Sequence, residues 1–193
     1  MKKILLIIIL TFCIFQMIVL ATAIDIGTSE VIDRPNAYPK DMTFILVENP
    51  ANETGEINEI KVWVADNCTN FTVATFELIG GTTFTARDSE VIGAVTAGGV
   101  RTFAVTLNVE AGDYLGYYTN SVGDTVECTL SGDGVWEKAG DQTKCVEVKF
   151  AEGANRTLSL YGTGATAGWS HKWNTATISK WNTATFTKWN TIP

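Results

Sequence analysis

Thr102-Phe103-Ala104-Val105-Thr106-Leu107-Asn108-Val109 is the stretch on which the fold turns. Phe103, Val105, Leu107 and Val109 fall on one side of an extended chain, and Thr102, Ala104, Thr106 and Asn108 on the other. Strict alternation of this kind marks a strand with one face on a core and one toward solvent or a sheet edge. Glu110-Ala111-Gly112-Asp113 then turns the chain into Tyr114-Leu115-Gly116-Tyr117-Tyr118, a second extended run.

The same grammar repeats on both sides of this pair of runs. Phe44-Ile45-Leu46-Val47 stops at Asn49-Pro50, residues 57–64 alternate, and 72–79 end at Gly80-Gly81 before Phe84-Thr85-Ala86-Arg87 and Val91-Ile92. Further strands are expected at 125–130, 134–137, 145–150 and 157–161. No segment after residue 23 carries helical periodicity. Many short strands with closely spaced turn signals predict an all-β, antiparallel β-sandwich, jelly-roll-like, over residues 42–162. Residues 24–41, with Pro35 and Pro39, read as an extended lead-in. The small, glycine-rich 163–168 read as a linker.

Lys2 and Lys3 precede an apolar run from Ile4 to Leu20 and an Ala21-Thr22-Ala23 ending. That order defines a secretory signal peptide, residues 1–23, with cleavage after Ala23. The rival reading, a retained anchor, needs about 20 apolar residues, and Thr11 and Gln16 interrupt this run. The expected location is therefore secreted or cell-surface, with membrane contact only through the signal segment. Removing two lysines takes the formal charge from −7 to −9. Nucleic-acid binding needs clustered Lys and Arg and is not expected of so acidic a product.

Cys13 leaves with the signal, so Cys68, Cys128 and Cys145 remain. Three pairings are open, one thiol being left over. Cys128–Cys145 is favoured, because the two end apparent strands on either side of a Gly- and Asp-rich loop.

Residues 169–193 form a tail in which Lys172-Trp173-Asn174-Thr175 returns as Lys180-Trp181-Asn182-Thr183 and Lys188-Trp189-Asn190-Thr191. The period of eight residues is even, so an extended chain would point all these tryptophans one way. A helix would scatter them by about 80° per repeat. A face of indoles is costly to leave in water, so Trp173, Trp181 and Trp189 are expected to be covered by the sandwich, a second subunit or an outside partner. Lys172, Lys180 and Lys188 add cation–π or ion-pair capacity.

Chemistry is sparse elsewhere. The carboxylates Asp88, Glu90, Asp113, Glu137 and Asp141 scatter over turns and strand ends, whereas hydrolysis wants two converging across a cleft. The single His171 lies in the tail, which removes a multi-histidine metal site and leaves no base for a serine or cysteine nucleophile. Asp133 and Asp141 fit ordinary Asp-Gly turns better than a calcium loop. No cofactor, metal or catalytic group is expected. Asn52, Asn67, Asn70 and Asn155 head N-glycosylation sequons.

The segments Asn49-Pro50-Ala51-Asn52-Glu53-Thr54-Gly55, Phe84-Thr85-Ala86-Arg87-Asp88-Ser89, Val109-Glu110-Ala111-Gly112-Asp113-Tyr114-Leu115-Gly116 and Leu158-Ser159-Leu160-Tyr161-Gly162-Thr163-Gly164 carry a resemblance. So do Val73-Ala74-Thr75-Phe76 and Val95-Thr96-Ala97-Gly98. The chain resembles uncharacterised small secreted or prophage-associated β-sandwich proteins that end in Ser-Lys-x-Asn-Gly-type repeats, and departs from them by placing Thr where Gly is usual. The resemblance implies a sandwich and brings no activity, ligand or site residue. The leading expectation is a non-catalytic extracellular structural or attachment protein, its Trp-repeat tail mediating self-association or docking to a cell-surface or envelope partner. The alternative is a carbohydrate-binding module that stacks glycan on Trp63, Trp136 or the tail tryptophans.

Overall fold

The structure, a computed structural model, describes residues 22–39, 41–120, 123 and 125–166. In chain order they form β1 (Ala23–Gly27), β2 (Asn36–Ala37), β3 (Met42–Leu46), β4 (Gly55–Val62), β5 (Cys68–Gly80), β6 (Thr83–Val95) and β7 (Arg101–Val109). There follow β8 (Tyr114–Thr119), β9 (Glu127–Thr129), β10 (Val135–Ala139), β11 (Val148–Lys149), β12 (Ala151–Glu152), β13 (Thr157–Leu158) and β14 (Leu160–Ala165). No helix occurs among the described residues. The strands make a four-stranded sheet β1-β14-β4-β7, a seven-stranded sheet β11-β6-β5-β8-β3-β10-β12 and a small sheet β13-β9-β2. Every strand pairing among the described residues is antiparallel. The fold is an all-β antiparallel sandwich.

Alternating residues of the two larger sheets meet in one core. Ile24, Ile26, Ile57, Ile60, Leu107 and Leu160 come from the four-stranded sheet, and Phe44, Leu46, Phe71, Val73, Leu115 and Tyr117 from the seven-stranded one. Removing side chains of this size from water stabilises the fold by about 1.5–3 kcal/mol each. The opposite face of the seven-stranded sheet is also covered. Ile45, Ala74, Phe76 and Phe84 point there, and Phe150 and Cys145 from the 140–152 segment close over them with Trp136 and Tyr114. That is why 44–47 is a continuous apolar run: Phe44 and Leu46 serve one core, Ile45 the other.

Several expectations change in detail. The lead-in carries β1, whose Ile24 and Ile26 are fully buried. The segment read as a linker begins inside β14, which lies between β1 and β4. Gly162 and Gly164 are there for space: a Cβ on Gly162 would stand 2.9 Å from Ile26 and 3.1 Å from Ile57. A glycine in a strand interior often marks such a close approach. The expected Cys128–Cys145 bridge is absent. Cys128 belongs to the inter-sheet core and Cys145 to the second cluster, on opposite faces of the seven-stranded sheet, and both are thiols.

The start of β1 and the end of β14 lie side by side. Thr22 N–H donates to Thr166 Oγ1 (3.0 Å) and Thr166 N–H donates to the Thr22 carbonyl (3.0 Å). The chain therefore enters and leaves the sandwich at one pole. The apolar run and the tail, with Trp173, Trp181, Trp189, Lys172, Lys180 and Lys188, lie outside the described residues.

Candidate functional site

Opposite that pole, at the other end of β14, three backbone bonds tie distant segments together. Trp63 N–H donates to the Ser159 carbonyl (3.0 Å), Ser159 N–H to Glu127 (2.9 Å) and Glu127 N–H to Trp63 (3.1 Å). β14 covers six residues, so the two poles stand roughly 20 Å apart along the strand. Around this knot opens a polar cleft of about 690 Å³, lined by Asp33, Arg34, Asn36, Glu127, Leu130 and Arg156 among others.

Arg34 is held by Pro35, which biases its backbone to an extended form, and by its own donors. Its N–H reaches Glu127 Oε2 (2.7 Å), its Nε reaches Ser159 Oγ (2.9 Å) and its Nη2 reaches the Glu30 carbonyl (2.9 Å). Ser159 Oγ passes its own proton to the Ile32 carbonyl at 2.6 Å. Glu127 also accepts from the Trp63 indole. Burial pushes the Glu127 carboxyl above its ordinary value, against the lowering effect of the Arg34 and Trp63 donors.

Arg156 has a different setting. Its guanidinium sits 4.6 Å from the centre of the Tyr38 ring, a cation–π distance. Nη1 donates weakly to Cys128 Sγ at 3.5 Å, and Nε is buried with no acceptor. The thiol contact and the nearby charges raise Arg156 further, with burial opposing. The Tyr38 hydroxyl is likewise buried without a partner, and desolvation pushes it up to about 12. No carboxylate comes within ion-pair distance of Arg156 among the described residues. Arg87 is the contrast: it meets Asp113 through two nitrogens, Glu110 at 3.1 Å and Glu77 at 3.4 Å.

The residues singled out in the sequence fall in several places. Trp63 is half-buried at the knot behind the cleft, its N–H committed to Glu127. Trp136 is packed 4.9 Å from Phe84 and edge-on to Tyr114 at 5.1 Å, so it caps the second apolar cluster. Asn52, Asn67, Asn70 and Asn155 are all exposed. Asn52 is nevertheless engaged: its amide accepts from Asp25 N–H (3.1 Å) and donates to the Ala23 carbonyl (3.2 Å), closing the outer edge of β1. Asp88 and Glu90 cap backbone N–H groups of β7, and Asp113 is the buried partner of Arg87, so these acids are structural.

Sequence reading missed Arg34 and Arg156. The cleft assembles side chains from segments far apart in the chain, and neither arginine sits in a repeating pattern. The arrangement suits holding a polar ligand. Among the described residues no three His, Cys, Asp or Glu side chains converge as a metal site. No family model, no curated protein and no solved structure matches this chain.

Proposed function

We propose that this is a non-catalytic extracellular attachment protein, held through its tail at one pole and presenting the opposite pole to a ligand. The observation that supports it is the pairing of Ile24, the first residue after the expected cleavage, with Gly164 near the end of β14. It sets the start of the exported chain beside the end of β14, and the cleft lies at the other end of that strand, roughly 20 Å away. The tail's Lys172, Lys180 and Lys188 are balanced by no acid after residue 167, whereas all 21 acidic residues lie before it. A cationic, indole-bearing strip suits docking to an acidic surface, a second copy of this sandwich included. The test compares the exported protein with a form lacking residues 169–193, by light scattering and by retention on the exporting cell. Loss of assembly or retention is expected on deletion; two unchanged, unretained monomers would remove the reading.

A second reading, glycan binding, is favoured by one feature. The cleft places fixed guanidinium donors beside Asp33, Asn36 and Glu127, a mixture that meets hydroxyl groups well.

A further inference from the structure

We infer that the Arg34–Arg156 cleft binds the carboxylate of an acidic sugar, with Arg156 as its charged anchor. The inference rests on reading this pole as the ligand-facing one. The body between residues 24 and 167 holds nine basic and 21 acidic residues. Among the described residues only Lys61 and Arg87 form ion pairs with carboxylates, and Arg156 is set apart from the other cations by an Nε that is buried with no acceptor. Arg87 gathers three carboxylates, while Arg156 has a tyrosine face and a thiol. Those two contacts fix the guanidinium without neutralising it, and Arg156 is among the residues that line the cleft.

A guanidinium positioned in this way takes a planar anion through paired N–H donors more strongly than it takes a neutral acceptor. Arg34 adds a second charge on the same cleft. Its Nε and Nη2 are spent on Ser159 and Glu30, which leaves Nη1 for a ligand. Asp33 and the Asn36 amide, on the same lining, supply acceptors and donors for hydroxyl groups. Apolar contact is slight, with Leu130 exposed on the rim. An acidic peptide would seek apolar pockets or a strand edge to pair with; the apolar lining here is slight, and the strand edge at the cleft, β2, is two residues long. A hydroxylated carboxylate satisfies all the groups present.

The experiment titrates the exported protein, tail included, with trigalacturonate, glucuronate and N-acetylneuraminate by calorimetry. Uncharged galactotriose and tri-glutamate serve as controls. At least one acidic sugar is expected to bind, more weakly as salt rises, and at least about tenfold more weakly in Arg156→Gln. Arg34→Gln is expected to weaken it less, and Arg156→Lys to fall between. Thermal melts by circular dichroism identify any variant that does not fold, in which case Arg34→Gln carries the test. Overturning results are binding of galactotriose or tri-glutamate as tight as that of the acidic sugars, unchanged binding in folded variants, or no acidic sugar bound at millimolar concentration. Arg156→Gln is expected to leave assembly and retention intact. A failure here therefore sinks the cleft assignment and leaves the attachment reading to its own deletion experiment.

Discussion

At the scale of single residues, charge is handled in opposite ways at the two arginines. Asp113 is buried and takes two donors from Arg87 as well as the Glu110 N–H at 2.8 Å. Arg87→Ala should strand that carboxylate, at a cost of about 3 kcal/mol in urea denaturation, whereas Asp113→Asn with Arg87→Met together should cost less. Glu127 titrates the other way from a typical surface acid. Its raised value means the fold prefers it protonated, so its stabilising contribution is complete below the ordinary carboxyl range and fades as pH climbs through the raised value. Glu127→Gln keeps an acceptor for Arg34 and should flatten stability over that interval in urea denaturation followed against pH. Asp88 has the reverse sign. Burial works against its charge, but donors from Asn108 and Ser89 prevail and hold it low. Its support for β7 is present above the ordinary range and is lost in stronger acid; Asp88→Asn should remove that part of the acid sensitivity.

At the scale of elements, β7 was legible because its alternation is unbroken: Val105, Leu107 and Val109 are buried and Thr102, Ala104, Thr106 and Asn108 exposed. The turn after it carries the chain into the other sheet, where β8 pairs with β5 and β3 and not with β7. β4 was legible as a strand but not in its faces. Strict alternation puts Ile57 and Ile60 on opposite sides, yet both are fully buried, because a bulge between Ile57 and Glu59 resets the alternation. β14 was half lost for a related reason, since composition alone cannot tell a glycine chosen for flexibility from one chosen for room. Gly116 in β8 belongs to the second kind. A Cβ there would meet the Phe44 carbonyl at 2.5 Å and the Phe76 ring at 2.7 Å. Gly116→Ala is expected to cost about 1–3 kcal/mol, and pairing it with Phe76→Leu should restore part of the loss in the same denaturation assay. The cleft was not legible at all, since its residues are adjacent only after β2, β9 and β13 have paired.

At the scale of the whole molecule, the position of β1 bears on export. If the chain is cut after Ala23, as its sequence leads one to expect, Ile24 becomes the first residue, already inside a strand and paired with Gly164. Intact-mass measurement of the exported form should give a chain beginning at Ile24. Deleting Ile24 to Gly27 from that form should lower stability by several kcal/mol, because two fully buried isoleucines go with it. The core is also shared between two faces of one sheet, so Phe84→Ala, which guts the outer cluster, should cost about 3–5 kcal/mol while leaving Trp63 fluorescence near its native value. β14 has one more consequence. A load pulled through the tail against a ligand held at the far pole would run lengthwise along a strand bonded to β1 on one side and β4 on the other. Ladder bonds stand across such a pull, so they would be sheared together rather than unzipped in turn. That is the geometry of a fastener under tension.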